Sequence, residues 1–390
     1  MSQEKPWEQP GKWFVSPYNF EEEVRKNWSL PKRVIIHDTT LRDGEQTPGV
    51  VFRSDEKVEI AKILAEIGVD RIEGAIPSVS DDDRIALKRM KKEVSGSEIW
   101  AEIRTREDDL NLAIDCDVDG IIVEIPVPEE FLRLIWKDTE EGIRKHIEVV
   151  TRAKEHGLKV TTFLPFSTVA PLDRLKYFVT RIVGEGKVDN VAIVDTTGVL
   201  LPWSTQWLIK KVKEFCKVPI EIHCHNTWGY ATANTIAAVI SGAEVIHTSI
   251  NGLGGNAALE ECIMGLLALV GMDLDVKTEK LYEASQLVEK YTGIGCYKPF
   301  FDRTERYTEI GILAAFIRKA REKGIKLPGF FNPAILGIKE GRELLLGKKS
   351  GRHAVMLKSE KLGLPVPPED KARIIAQKIK ELSIKKKGPI

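Results

Sequence analysis

Short runs of β-branched and aliphatic residues alternate along the chain with longer stretches whose apolar residues recur every three or four positions. The runs are VIIHD from Val34, RIEGAI from Arg71, EIWAEI from Glu98, GIIVEI from Gly120, LKVTTF from Leu158, NVAIVD from Asn190, PIEIHC from Pro219 and EVIHTSI from Glu244. Helical stretches such as SDEKVEIAKILAEIG and ATANTIAAVISG follow them. A repeat of this kind every ~25 to 40 residues is the signature of βα units. Eight units predict an α/β fold, a closed (β/α)8 barrel, over residues 34–273, and such barrels carry their chemistry at the C-terminal ends of the strands.

The flanks read differently. Residues 1–33, rich in Trp, Pro and charge, predict an N-terminal arm. From 274 to 390 the βα rhythm stops: the runs EKLYEASQLVEKYTG and IGILAAFIRKAREKG, the Pro/Gly segment KLPGFFNPAILG and a last helix after PVPPED predict a mainly helical C-terminal subdomain. A length of 390 residues, 43% of them hydrophobic, suffices for one large barrel with such an appendage.

Composition narrows the partners. Lys+Arg and Asp+Glu each total 58, so no net charge draws the chain to nucleic acid or an anionic membrane; Lys385, Lys386 and Lys387 read as a solvated terminus. Five cysteines with no CxxC spacing argue against a disulfide framework and a thiolate zinc site, and for a reducing compartment. The N-terminus lacks the pattern of a signal peptide, and the longest apolar run, near CIMGLLALVGM, is too short to span a bilayer. The expectation is a cytoplasmic protein.

The strand ends hold the candidate chemistry. In PIEIHCHNTWG, His223 and His225 sit two apart, so an extended backbone turns both imidazoles to one face and Cys224 to the other. Two imidazoles suit a divalent transition ion but need a carboxylate or third nitrogen to complete a site. Asp43, in HDTTLRDGEQTPGV after the first strand, is the best candidate: alone it reads more readily as a helix N-cap or loop Asx-turn, and the HxH pair reverses that preference. Arg42 beside it supplies a fixed cation for a developing oxyanion, with a surface salt bridge as the alternative. His37 and Asp38 are candidate supports of the ligands. Glu73 and Glu102 end the second and third strands, and Asp195-Thr196-Thr197-Gly198 the sixth. The glycine-rich NGLGGNAALEE contributes Asn256, whose amide oxygen is a candidate further metal ligand. His146 and His156 are read as exposed on an outer helix; His247 is open to either face, and His353 belongs to the tail.

Together, DTTLRDGEQTPGV, the DTTG of the sixth strand, HCHNTWGYATAN, NGLGGNAALEE and LLLGKKSGRHA resemble the DRE-TIM metallolyase superfamily, in particular its 2-isopropylmalate, homocitrate and citramalate synthases. The match covers residue 34 to about 270 and returns near 345–354. The resemblance implies that Asp43, His223 and His225 bind a divalent ion (zinc, manganese or magnesium), with Asn256 in or near the ligand set. It also implies that Arg42 and Gln46 address a 2-oxo acid and Thr196 its carboxylate. The family reaction is a Claisen condensation with acetyl-CoA as co-substrate, on a homodimer.

Several departures bear on the substrate. The fifth strand ends in TTFLPFSTVAP rather than a serine- and acid-rich segment, and Thr161 and Glu102 stand where homocitrate synthases place arginine and histidine. Glu102 is therefore assigned to substrate binding. A tail histidine thought to assist proton transfer aligns with Leu313, which leaves Tyr307 or Glu309 as substitutes; Arg42, Glu73 and Glu309 are the catalytic candidates. The long regulatory domain of leucine-inhibited synthases is not expected, since the chain ends at Ile390. Two alternatives are a carbon–carbon lyase of the hydroxymethylglutaryl-CoA lyase type, disfavoured because Asn256 rather than a cysteine occupies the glycine-rich loop, and a metabolite-binding homologue without turnover.

Overall fold

Eight parallel strands hydrogen-bond in chain order and the eighth returns to the first, closing a barrel. They are β1 (Ile35–Asp38), β2 (Arg71–Ala75), β3 (Glu98–Arg104), β4 (Gly120–Glu124), β5 (Lys159–Leu164), β6 (Asn190–Asp195), β7 (Ile220–Cys224) and β8 (Val245–Thr248). Closure pairs Ile246 with Ile36 and His247 with His37. All eight predicted strands are present. The computed structural model describes residues 5–293, 306–307, 323, 332–338 and 343–387.

The principal helices between and after the strands are α1 (Ser54–Ile67), α2 (Asp81–Glu93), α3 (Glu107–Asp115), α4 (Thr139–Glu155), α5 (Leu172–Arg181), α6 (Pro202–Phe215), α7 (Ala231–Val239) and α8 (Leu259–Met264), with α9 (Leu281–Thr292) beyond. Their starts are written in the sequence. Ser80 and Asp138 cap α2 and α4 by accepting from the backbone N–H groups of Asp83 and Glu141, and acidic residues in the first turns complement the helix dipole.

Alternation along the strands sends two kinds of residue inward. Trp100, Ile122, Phe163, Ala192 and Val194 form an apolar cluster on the β3–β6 side. On the β7–β8–β1–β2 side the buried residues are instead Glu221, His223, His247, His37 and Glu73. A barrel interior is ordinarily filled by branched aliphatic side chains, so this polar half calls for a chemical reason.

The chain divides into two compact units, one of Glu22–Tyr297 and one of Met1–Glu21 with Lys298–Ile390. The second contains a short antiparallel pair, Glu8–Gln9 with Trp13–Phe14, and helices α10 (Arg352–Lys361) and α11 (Glu369–Lys386). These two pack through Val355 and Met356 against Ala372, Ala376 and Ile379. The expected helical C-terminal region is thus present. No described helix is long and apolar enough to cross a membrane.

One expectation is overturned. His156 is exposed, but His146 is fully buried on the inner face of α4. Its Nε2 lies 2.8 Å from Thr162 Oγ1 and its Nδ1 3.0 Å from Thr105 Oγ1. Because Thr105 already donates its hydroxyl proton to the Glu124 carbonyl, His146 Nδ1 donates and Nε2 accepts, which satisfies a neutral ring. The i, i+3/i+4 pattern of Ile143, His146, Val149 and Val150 had placed it on the buried stripe.

Burial pushes the His146 pKa down from 6.5 to about 3. The unfolded chain therefore takes up a proton that the folded one refuses. Stability falls as pH drops from about 6.5 toward about 3, by up to ~1.4 kcal/mol per pH unit for this group. In His146→Gln this contribution disappears. Urea titrations between about pH 6 and 4 should give a pH slope of unfolding free energy shallower than wild type by ~1 kcal/mol per unit.

Candidate metal centre at the barrel mouth

The loop after β1 folds back tightly, with Gly44 N donating to Thr39 O at 3.0 Å. Asp43 ends it in a helical backbone conformation, at the start of a 3-10 turn over Gly44–Gln46. Its side chain makes no capping hydrogen bond, so the N-cap role is not taken and the carboxylate turns to the mouth. From β7, His223 and then His225 reach the same point. The backbone N–H of His225 donates to Asp195 O at 3.2 Å. Gly198 lies so close that a Cβ there, at φ +62, would sit 2.5 Å from His225 O. Only glycine fits at that position.

Three donor atoms converge. His223 Nε2 and His225 Nε2 are 3.0 Å apart, and Asp43 Oδ2 lies 3.4 and 3.5 Å from them. Donors bound about 2.1 Å from a common ion lie about 3.0 Å apart at a right angle and about 3.4 Å at the tetrahedral angle, so the triangle fits a divalent ion. Two buried oxygens, Asp43 Oδ2 and Asn256 Oδ1, have no hydrogen-bond partner. Asn256 Nδ2 is held by Leu253 O at 3.0 Å, which commits the amide nitrogen and leaves its oxygen free. The glycine-rich loop brings it there: Gly254 has φ +78, and a Cβ on it would meet Asp43 O at 2.7 Å. Buried oxygens without partners cost free energy unless a cation compensates.

The electrostatics agree. Burial raises the Asp43 carboxyl, but Arg42 and the two histidines outweigh it and hold the group well below the usual carboxylate range. Burial pushes His223 down to about 4 against the pull of Asp43. At neutral pH the site therefore presents an ionised carboxylate and a neutral His223 imidazole, the protonation states that metal ligands need.

The cavity at this mouth, about 540 Å³, is lined by Asp43, Gln46, His225 and the segment Asn251–Gly255. Arg42 lies just beneath and points inward. Its Nε is 2.8 Å from Glu73 Oε1 and 2.9 Å from Glu102 Oε2, and Nη1 is 3.1 Å from Asp43 Oδ1. It is not a surface salt bridge. Glu73 is fully buried with both oxygens on Arg42, and burial is overcome by Arg42 and His37 to bring its carboxyl to about 2. Glu102 behaves oppositely: burial, with Glu124 adding to it against Arg42, pushes its carboxyl well above the usual range. Thr196, at the end of β6, accepts from Phe166 N at 2.8 Å. Asp195 accepts from Thr168 Oγ1 and from the backbone of Val199 and Leu200, shaping its own loop. Glu309, Leu313 and Cys296 lie outside the described residues.

A second trio of donors, His37, Glu221 and His247, lies deeper in the barrel. The rings of His37 and His247 stack at 4.5 Å and 11°, so their in-plane lone pairs run parallel rather than converge. Glu221 Oε1 already accepts from Arg71, Thr161 and Asn190. Within this trio His247 Nε2 is hydrogen-bonded to Glu221 Oε2 at 2.7 Å, and His37 is held by stacking on His247. The trio's signal was available in the sequence: Glu221, His223 and His225 continue one i, i+2 alternation.

Lys57 was also missed. It is 1% exposed on α1, with Nζ 2.6 Å from both Glu45 Oε2 and Asp83 Oδ1 and 3.0 Å from the carbonyl of Leu41. It anchors the segment that carries Arg42 and Asp43.

Fold and donor set together are those of a barrel whose mouth gathers donors that fit a divalent ion. Residues 33–288 match the HMGL-like family, and the chain belongs to it. It is 37% identical to homocitrate synthase AksA of Methanothermobacter thermautotrophicus, covering 94% of this chain and 92% of that one. It is 38% identical to 2-isopropylmalate synthase of Methanocaldococcus jannaschii over 95% of this chain and 73% of the relative. With (R)-citramalate synthase CimA of the same organism it shares 36% identity, over 89% and 70% respectively. Among solved structures, HMG-CoA lyase of Bacillus subtilis superposes with a TM-score of 0.62 at 23% identity, over 69% of this chain and 96% of that one, a likeness of fold.

Replacing Lys57 by methionine keeps its bulk but strips Glu45, Asp83 and two carbonyls of their cation. Both carboxylates retain some access to water, so the cost falls near the lower end for a broken buried pair, about 3 kcal/mol. Urea denaturation of Lys57→Met should show that loss, and a variant as stable as wild type would contradict the anchoring role.

Proposed function

We propose that this protein is a metal-dependent acyltransferase that condenses acetyl-CoA with a 2-oxo acid to give a 2-alkylmalate-type hydroxy acid. The observation that carries this reading is the convergence of Asp43, His223 and His225 with the unpartnered oxygen of Asn256. Support comes from relatives named homocitrate, 2-isopropylmalate and citramalate synthases over most of the chain.

The acetyl methyl group loses a proton, its carbon bonds to the keto carbon, and the carbonyl electron pair becomes an alkoxide that takes up a proton. Water then cleaves the thioester and releases CoA. Asp43, His223, His225 and Asn256 would hold the divalent ion (zinc, manganese or magnesium), which when bound acts as a Lewis acid on the keto oxygen. Arg42, kept charged by Glu102, Glu73 and Asp43 against its burial, supplies a fixed positive potential beside that oxygen. Glu73 holds Arg42 in place. Gln46 on the cavity wall, Thr196 at the β6 end and Glu102 on β3 are assigned to the 2-oxo acid. Glu309 is carried as the proton-transfer group, and a homodimer as the working assembly.

The lyase reading is disfavoured, because Asn256 rather than a cysteine stands in the glycine-rich loop. Cys262 is fully buried in α8, and burial pushes its thiol well above the usual range.

Purified protein supplied with a divalent ion and acetyl-CoA should release CoA thiol with at least one of pyruvate, 2-oxoisovalerate, 2-oxoglutarate and oxaloacetate, and EDTA should abolish it. Asp43→Ala removes a ligand outright, so its kcat/KM should fall by more than the ~100-fold that losing an outer partner of a metal ligand can cost. Thiol release with none of the four, in protein that binds the ion, would favour the metabolite-binding alternative.

A further inference from the structure

His223 and His247 meet Nδ1 to Nδ1 at 3.3 Å in the barrel interior. Two imidazole nitrogens at such a contact share one proton, so one ring donates and the other accepts. That choice also decides which far nitrogen keeps a lone pair. The far nitrogen of His247, Nε2, lies 2.7 Å from Glu221 Oε2. A carboxylate oxygen accepts, so His247 carries its proton on Nε2 and offers a lone pair at Nδ1. His223 must then donate from Nδ1, which leaves Nε2 bare and facing Asp43 and His225.

Glu221 is fixed in turn. Its Oε1 accepts from Arg71 Nη1 at 2.8 Å, Thr161 Oγ1 at 2.9 Å and Asn190 Nδ2 at 2.7 Å, donors from β2, β5 and β6. The rings are also held sterically: His37 stacks on His247 at 4.5 Å, and Phe163 meets His223 edge-on at 5.2 Å. Glu221, His223 and His247 are each at most 1% exposed, so no solvent competes for these bonds.

We propose that Glu221 and His247 are positioning residues that lock His223 in the tautomer with its Nε2 lone pair directed to the metal centre. The inference rests on the reading of Asp43, His223 and His225 as that centre. It extends the familiar carboxylate–histidine support of metal ligands by one ring. The lock draws its polarity from three strands, β2, β5 and β6, which together orient one carboxylate.

The test uses the full chain as wild type, Glu221→Gln, His247→Phe and His247→Asn, with cobalt(II) as the probe. In Glu221→Gln the three donors retain the amide oxygen, so the amide N–H2 faces His247 Nε2. His247 must then accept there and donate from Nδ1, which protonates His223 at Nε2. Cobalt affinity in Glu221→Gln and His247→Phe should fall by about 10- to 100-fold, the range for loss of a ligand's outer partner, with a changed visible absorption band. His247→Asn places an amide oxygen where Nδ1 stood, accepts from His223 and should recover most of the affinity. Nitrogen-15 shifts of the metal-free proteins should report Nδ1–H on His223 in wild type and Nε2–H in Glu221→Gln.

Wild-type affinity in Glu221→Gln, or equal losses in the Phe and Asn variants, would overturn the lock. A wild-type protein that binds no cobalt would instead sink the metal-centre reading, while the nitrogen-15 pattern still decides the tautomer. Should His247→Phe fail to fold, the isosteric Glu221→Gln carries the test alone.

Discussion

A guanidinium buried where three strands end organises the rest of this molecule. Arg42 follows β1, Glu73 lies on β2 and Glu102 on β3, and all three meet within hydrogen-bond distance out of reach of water. Desolvating such a cation costs several kcal/mol, which only well-placed carboxylates and hydrogen bonds offset. The backbone must therefore hold the loop after β1 in one place, and Asp43, the next residue, is fixed with it. Lys57 repeats the device from the outer side, clamping the same segment through Glu45 and the Leu41 carbonyl. Precision at the mouth comes from ionic anchors on both sides of a short loop.

The interior divides according to the same requirement. Apolar packing of Trp100, Ile122, Phe163, Ala192 and Val194 fills one side, and the other is given over to groups that orient ligands. A polar core is tolerable when its members are mutually satisfied. Glu221 meets that condition with four partners, whereas unpartnered oxygens remain where the cavity opens, on Asp43 and Asn256. These two free oxygens face the point on which the imidazoles of His223 and His225 converge.

Much of this was legible in the amino-acid order. Short β-rich runs alternating with helical stretches placed all eight strands, and the pairing of His223 with His225, read against Asp43, pointed to the candidate site. What escaped shares a physical setting: a polar side chain on an element face that packs inward. His146 and Lys57 each sit on the apolar stripe of a helix, where position outweighs polarity once two threonines or two carboxylates supply partners. Glu221 lay one step back along the alternation that exposed the histidines. The partners that make these residues tolerable inside are distant in the chain, so no local pattern announces them.

The loops after β1 and β8 are clasped together, Ile250 N on Thr40 Oγ1 and Gly254 N on Thr47 Oγ1, beside the closing contact of first strand with last. Asp43 leaves the ribosome early; His223, His225 and Asn256 emerge only after nearly the whole barrel has been synthesised. The first half-barrel carries Asp43 alone, and the other three donors lie on the second. The four donors are brought together only when the first strand meets the last, so the closing seam completes the candidate site.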